Sequence, residues 1–232
     1  MGVQLVTVKT VRNSIKIAYS GKKLGDTSGS DSPNFAKFVA HFPDKKIYRI
    51  PATGQDGILE IDGKTPEQVL TTSVDALITH KTSNTLILRA ADCIPLVFFA
   101  PGHRILGLAH VGTTGAALHL PAKMIAAMGL PAADLQVYAG PHISQKSYRF
   151  EEGQFKKELD SSWDAYITHE QDGTHLNLLG YVIDELQSQG VKESNITVEN
   201  VDTGADPEHF SNRRHKLTGE PDGRNGFAVY LL

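Results

Sequence analysis

The stretch that decides the expected fold is residues 85–115, with the sequence TLILRAADCIPLVFFAPGHRILGLAHVGTTG. Three apolar runs within it, residues 85–89, 94–100 and 104–110, have the length of strands and are separated by short breaks. We expect three consecutive strands, of which the last two form a hairpin. Strands that follow one another directly favour an α+β fold with mixed sheets over a doubly wound parallel sheet.

Apolar periodicity and turn signals predict the other elements outward from this stretch. Residues 202–226 are polar and turn-rich and are expected to form a loop. No repeat or composition shift marks a linker, so we expect one domain over residues 1–232. Further strands are expected over residues 3–8, 15–19, 46–50, 58–61, 75–79, 135–139, 196–201 and 227–232, and helices from residue 33 and over 116–128, 151–159 and 178–189. Pro121 indicates either a kink in the helix over 116–128 or a helix that starts at this proline.

Composition places the chain among ordinary globular proteins, with 40% hydrophobic residues, 21% charged residues and a formal net charge of −3. This charge gives no basic footprint for nucleic acid. No apolar run reaches the length of a membrane span, and the first residues lack the pattern of a signal peptide. Cys93 is the single cysteine, so no internal disulfide can form and the reducing cytoplasm is the expected location.

Cys93 and His110 are the first candidates for chemistry, because both are expected at strand ends. A thiol and an imidazole that face one pocket can act as a nucleophile with its base, or as two ligands of a zinc ion. The alternative is that Cys93 is a small buried apolar residue and His110 a satisfied core or surface histidine. We predict that both residues are catalytic.

Two segments are candidates for binding an anion. Gly112, Thr113 and Thr114 lie between the last strand of the stretch and the next helix, where glycine lets a backbone approach a ligand closely. The alternative is an ordinary capped helix start. Arg214 belongs to a run of two arginines, and a guanidinium can hold phosphate through two hydrogen bonds. The alternative for Arg214 is a solvated basic loop.

Two aspartates are harder to assign. Asp56 precedes Gly57 in a turn signal, and its carboxylate either completes a zinc site with Cys93 and His110 or belongs only to the turn. Asp92 is expected to face away from the pocket that Cys93 enters, because neighbouring side chains of a strand point to opposite faces. Asp92 then orients another group of the site or caps a turn.

Several motifs together resemble the laccase-domain, YfiH-like family of polyphenol oxidases and purine nucleoside phosphorylases. The resemblance runs in order from about residue 25 to residue 232, nearly the whole chain. The motifs are Asp75-Ala76-Leu77-Ile78-Thr79, Ala91-Asp92-Cys93-Ile94-Pro95-Leu96, Ala109-His110-Val111-Gly112, Gly140-Pro141-His142-Ile143 with Tyr148, and Phe210-Ser211-Asn212-Arg213-Arg214.

The resemblance implies a four-layer α/β/β/α fold, shared distantly with cysteine-dependent bacterial deamidase toxins of the CNF type. It also implies a zinc site, phosphorolysis of purine nucleosides and deamination of adenosine, with copper the less favoured metal. The chain departs from the family pattern at three places. Asp56 stands where the family has a histidine ligand, Thr113-Thr114 replace Trp-Arg, and Asp202-Thr203 replace Cys-Thr.

Three hypotheses for function follow. The first is a zinc-dependent purine nucleoside enzyme whose metal ligands are Asp56, Cys93 and His110, and which takes a nucleoside and phosphate as small-molecule partners. The second is metal-free catalysis, with Cys93 as the nucleophile and His110 as the base. The third is a binding protein that keeps the fold without the chemistry. The sequence makes no prediction of the oligomeric state.

Overall fold

Two β-sheets face each other across a shared apolar core in the computed structural model, which describes residues 5–29, 32–151, 154–155 and 159–232. The strands are, in chain order, β1 (Val6–Val11), β2 (Ile15–Ser20), β3 (Lys46–Arg49), β4 (Ile58–Glu60), β5 (Ala76–Thr79), β6 (Asn84–Ala90), β7 (Ile94–Phe99), β8 (Leu106–Val111), β9 (Gln136–Ala139), β10 (Arg149–Phe150), β11 (Ile167–Glu170), β12 (Gly173–Leu176), β13 (Ile196–Val198) and β14 (Asn225–Leu231). The α-helices are α1 (Pro33–Val39), α2 (Pro66–Leu70), α3 (Thr113–Ala117), α4 (Leu120–Met128), α5 (Leu178–Ser188) and α6 (Asn212–Thr218).

Both large sheets are mixed, as the sequence predicted. The first, sheet A, has the strand order β1-β2-β14-β6-β3, and its parallel pair is β3 with β6. The second, sheet B, has the order β13-β9-β7-β8-β5-β4, with parallel pairs at both edges. The predicted hairpin is the antiparallel pair β7–β8, in which Phe99 lies opposite Leu106. A small third sheet has the order β10-β12-β11.

The side chains of the central strands alternate between two apolar layers. On β6, Leu86 and Leu88 pack between the two sheets, whereas Ile87 packs under α1 on the outer face of sheet A. On β7, Val97 faces sheet A, and Phe98 faces the helices on the outer face of sheet B. This alternation with a period of two lets each sheet bury both faces. The expected four-layer α/β/β/α arrangement is confirmed.

Helices cover the outer face of each sheet. Phe38 of α1 and the following Phe42 pack against sheet A, and their rings meet edge to face with centroids 5.7 Å apart. Met124 of α4 and Val182 of α5 are fully buried against sheet B. Within the described residues, no helix is long and apolar enough to cross a membrane.

Several predicted boundaries differ from the structure. The expected helix 116–128 is two helices, because His119 adopts a left-handed φ of 57° between them and Pro121 falls in the first turn of α4. The expected loop 202–226 contains α6, which Ser211 caps by accepting a hydrogen bond from the backbone N–H of Arg214. The expected helix 151–159 includes residues 152–153 and 156–158, which lie outside the described part of the chain.

Candidate active site

A cavity of about 680 Å³ lies beside the carboxyl end of β8, a volume within the usual range for a small-molecule site. One wall is polar and includes the only thiol of the chain, and the opposite wall is formed by aromatic and aliphatic side chains. The lining residues are Gly54, Asp75, Cys93, His110, Gly112, Thr113, Thr114, Gly115, Ala117, Leu118, Tyr148, Phe150, Gln154, Phe155, Leu159, Leu176, Asn212, Arg213 and Lys216.

The link from β6 of sheet A to β7 of sheet B places Cys93 in this cavity. Asp92, within the link, has a left-handed φ of 88°, which turns the chain sharply before Cys93. The buried Asp92 carboxylate accepts a hydrogen bond from the Thr203 hydroxyl at 2.8 Å and another from the Arg213 backbone N–H at 2.6 Å. Asp92 therefore positions the start of α6 beside the thiol, which is the orienting role considered from the sequence.

His110 contacts both Cys93 and Asp75. Its Nδ1 lies 3.1 Å from a carboxylate oxygen of Asp75, and the Cys93 side chain interacts with the same ring. Burial lowers the pKa of the imidazole, but the electrostatic interaction with Cys93 and the hydrogen bond to Asp75 outweigh burial and raise the pKa to about 10. The expected meeting of Cys93 and His110 in one pocket is therefore observed, while their catalytic roles remain predictions.

Asp75 is held rigidly in front of β5. Its carboxylate accepts backbone N–H groups from Thr53 at 2.7 Å, Gly54 at 3.2 Å and Gln55 at 3.2 Å. Burial by itself would raise the pKa of Asp75, but the hydrogen bonds from His110 and these amides hold it below the ordinary value. The His110 backbone N–H also donates to the Asp75 carbonyl, so strand pairing fixes the two residues side by side.

Gly112 packs its backbone against the thiol. A Cβ atom at this position would lie 2.8 Å from the Cys93 Sγ, which is too close for any side chain. Thr113 pairs its hydroxyl with the Tyr148 hydroxyl at 2.9 Å, and Thr114 also lines the cavity. The three residues predicted to bind substrate here therefore all face the cavity, at the start of the single-turn helix α3.

Arg213 supplies a buried cation to the cavity wall. The residue is 8% exposed, and its guanidinium carbon lies 3.9 Å from the ring centroid of Phe150. Its Nε has no hydrogen-bond partner among the described residues. A buried charge that lacks a hydrogen-bond partner is costly, so this guanidinium is suited to an anionic ligand.

Arg214 does not line the cavity, in contrast to the prediction. All three nitrogens of its guanidinium bind other groups of the protein. Nε pairs with Glu220 at 2.9 Å, and the remaining two nitrogens donate hydrogen bonds to backbone carbonyls. Successive side chains of a helix point about 100° apart, so only one arginine of the pair can face the cavity. The carbonyls that Arg214 binds are those of Thr203, Gly204, Asp206 and His209.

The predicted zinc ligands do not come together. Asp56 is absent from the cavity lining and forms an exposed ion pair with Lys123 of α4. Cys93 and His110 thus lack the third protein ligand that a zinc site requires. Within the described residues, the group of three ligating side chains whose candidate atoms all lie within 4.8 Å is elsewhere, at Glu170, Asp172 and His175. The donor set at Cys93 and His110 does not fit a zinc or copper ion.

Sequence reasoning missed three residues of this site. Asp75 was assigned only to a strand, although it starts the family motif and precedes a strand that pairs with the His110 strand. The sequence prediction named Arg214 and not its neighbour Arg213. Residues 212–218 form a helix, in which the side chains of Arg213 and Arg214 point in different directions. Lys216, one turn after Arg213, lies at the cavity wall on the same face of α6.

The fold agrees with a known class of protein. The chain belongs to the family described as multi-copper polyphenol oxidoreductase laccase, whose model matches residues 18–231. The description names copper, whereas the relatives below are named for action on nucleosides.

Curated relatives are similar at low identity. A purine nucleoside phosphorylase of Corynebacterium glutamicum is 24% identical over 220 residues, which cover 88% of this chain and 86% of that protein. Purine nucleoside phosphorylase LACC1 of Mus musculus is 32% identical over 109 residues, 45% of this chain. The chain spans only 24% of the length of that mouse relative.

Solved structures share the fold. YlmD from Geobacillus stearothermophilus superposes with a TM-score of 0.78 at 19% identity, over 100% of this chain and 97% of that chain. The YfiH protein of Bacillus licheniformis gives a TM-score of 0.76 at 21% identity, over 94% and 93% of the two chains. At these identities the likeness extends to the fold alone.

Proposed function

We propose that the protein cleaves purine nucleosides with inorganic phosphate in the cavity beside Cys93 and His110. The observation that carries the proposal is Arg213, a buried guanidinium on the cavity wall whose Nε has no hydrogen-bond partner in the described part of the chain. Phosphate is a natural ligand for such a group. The aromatic rings of Tyr148, Phe150 and Phe155 give the same cavity an apolar side for a purine. The names of the curated relatives support this substrate class.

The proposed reaction places phosphate and base on opposite sides of the ribose. A phosphate oxygen bonds to the C1′ carbon as the bond from C1′ to the purine nitrogen breaks. Arg213 binds the phosphate, with Lys216 nearby on the same helix. The raised pKa of His110 keeps the imidazole protonated near neutral pH, so it can donate a proton to the leaving purine.

Zinc is not part of this proposal, because Asp56 pairs with Lys123 and no third ligand accompanies Cys93 and His110 among the described residues. The same argument leaves out adenosine deamination by a metal-bound hydroxide. The proposal therefore keeps the predicted partners, a nucleoside and phosphate, and replaces Arg214 by Arg213 as the anion contact.

Phosphorolysis of inosine tests the proposal. We expect purified protein to release hypoxanthine and ribose 1-phosphate only when inorganic phosphate is present. Arg213→Met should lower kcat/KM about 100-fold, because a charged donor to the transition state is lost. Arg104→Met is the matched control, since Arg104 is exposed and lies outside the cavity lining. Phosphate-independent release, or no release by the unmodified protein, contradicts the proposal.

A further inference from the structure

We propose that Glu170, Asp172 and His175 bind one zinc ion at the hairpin of β11 and β12. This group of three residues, the hairpin site, is separate from the residues that line the cavity. Its candidate donor atoms, one imidazole nitrogen and two carboxylate oxygens, all lie within 4.8 Å of one another. Both atom types are zinc ligands, and three protein ligands leave the fourth tetrahedral position to water.

The pairing of β11 with β12 brings the hairpin site together. Thr168 lies opposite His175, and Glu170 lies opposite Gly173. Residues that pair across two strands point to the same face of a sheet, as do residues two apart on one strand. Glu170 and His175 therefore share a face. Asp172 belongs to the turn between the strands, and its carboxylate lies 2.9 Å from Nε2 of His175.

The surroundings of the His175 ring require a cation between the ring and Asp172. His175 is 3% exposed, and its Nδ1 lies 3.2 Å from the backbone carbonyl oxygen of Gln145. A carbonyl oxygen can only accept, so Nδ1 carries a proton and Nε2 of the neutral ring is an acceptor. Nε2 faces the Asp172 carboxylate, which is an acceptor too. Two acceptors this close need either a second proton on the imidazole or a metal ion between them.

Glu170 favours the metal ion over the proton. A proton on Nε2 balances the single charge of Asp172, whereas Glu170 brings a second negative charge to the same point. A zinc ion balances both carboxylates and leaves the imidazole neutral, the form in which histidine binds metals.

The way in which His175 is held also fits a metal ligand. A metal-binding histidine usually donates its other ring N–H to a carboxylate or a backbone carbonyl, as Nδ1 of His175 does to Gln145. The nitrogen ligand selects zinc over calcium and magnesium, which prefer oxygen.

An ion in the hairpin site fastens the small sheet to the cavity wall. Leu176, next to His175, lines the cavity, and its backbone N–H donates to the Tyr148 carbonyl at 3.1 Å. Gln145, which holds Nδ1 of His175, lies in the segment that leads to Tyr148. The expected role of the ion is structural, because its three ligands lie outside the cavity lining.

Zinc titration of the full-length Cys93→Ser variant tests the site, because this substitution removes the cavity thiol as a competing ligand. We expect isothermal titration calorimetry on EDTA-treated, buffer-exchanged protein to find one equivalent of bound zinc. His175→Gln in this variant should weaken binding at least about 100-fold, since the loss of an orienting partner alone costs a metal site about 10- to 100-fold. Glu170→Gln, at an exposed position, should weaken binding at least about tenfold and serves if His175→Gln does not fold.

His169→Gln is the matched control. His169 is exposed on the same hairpin and points to the face opposite Glu170, so its loss should leave the zinc affinity unchanged. Zinc at about a hundredfold excess over Kd should raise the Tm of the Cys93→Ser variant by about 5 °C or more. Calcium and magnesium should leave the Tm unchanged.

Four results overturn the inference. Absence of zinc binding in the Cys93→Ser variant shows that a proton lies between His175 and Asp172. Binding that survives both His175→Gln and Glu170→Gln places the ion elsewhere. An equal loss of affinity in His169→Gln shows general binding to surface histidines, and an equal Tm rise with calcium contradicts the choice of zinc. These measurements contain no nucleoside or phosphate, so they are independent of the proposed phosphorolysis.

Discussion

Cys93 and Asp75 together raise the pKa of His110, and the contribution of Asp75 can be measured as stability. The folded pKa of His110 is raised from 6.5 to about 10. Its contribution to stability is therefore fully present below pH 6.5 and is lost as the pH rises through about 10. We expect Asp75→Asn to cost about 1 to 3 kcal/mol at pH 6.5, and less at pH 10, where the imidazole is half neutral.

Urea unfolding of both proteins between pH 6 and pH 10 measures this difference. The comparison with the unmodified chain cancels the titration of other groups, which the two proteins share. A free-energy difference that stays constant over the whole pH range would show that the Asp75 carboxylate does not act on a charged His110.

At the residue scale, the sequence predicted which types of side chain meet but not all of their identities. Cys93 and His110 could be paired because Cys93 precedes one apolar run and His110 ends the next, and the two runs form neighbouring antiparallel strands. The choice between Arg213 and Arg214 depends on the rotation of α6, which Ser211 and Asp92 fix through contacts distant in sequence. Asp56 pairs with Lys123 and does not join Cys93 and His110. Local sequence patterns do not predict this ion pair, because its two residues are 67 positions apart.

At the scale of elements, the junction of β8 and α3 depends on a missing side chain. We expect Gly112→Ala to displace the Cys93 thiol, because the new Cβ would lie 2.8 Å from Sγ. Inosine turnover should fall about tenfold or more, since small misplacements of reacting atoms are costly.

Gly115→Ala, three residues further on and inside α3, is the matched control. Its new Cβ would lie 3.4 Å from the His110 carbonyl oxygen, close to an ordinary contact, so activity should persist. Both variants are compared by inosine turnover and by thermal unfolding. Equal activity in the two variants would show that the close packing of Gly112 against the Cys93 sulfur does not affect activity.

Elements with strong periodicity were predictable, and short polar ones were not. The strands β6, β7 and β8 were expected because each is a continuous apolar run buried on both faces. The small sheet of β10, β11 and β12 was missed, because its strands have two to four residues and few apolar positions. The break at His119 has a left-handed φ, and Pro121 in the first turn of α4 is the sequence signal that indicated a kink or a helix start there.

At the scale of the whole molecule, the core between the two sheets sets the stability of the fold. Leu88 is 0% exposed in this layer, so Leu88→Ala should cost about 2 to 5 kcal/mol. Val8→Ala is the control, because Val8 is 49% exposed and its loss should change stability by less than about 0.5 kcal/mol. Chemical denaturation measures both values, and equal losses would contradict the assigned layer.

The architecture was predictable at this scale, whereas the cavity was not. Directly consecutive strands indicated mixed sheets, and the family motifs implied four layers. The cavity gathers side chains from segments as far apart as Gly54 and Lys216. Such long-range meetings depend on how the sheets and helices pack, which local patterns do not encode.

The position of β14 has a consequence for the order of events during synthesis. This strand lies between β2 and β6, both made much earlier. Its first residue, Asn225, also ties the carbonyl of Ala90 to that of Phe210, at the link that leads to Cys93. A nascent chain on the ribosome therefore holds two unjoined halves of sheet A until residues 225–231 emerge. The thiol reaches its finished surroundings only at that late moment, so a partly made chain carries no working site.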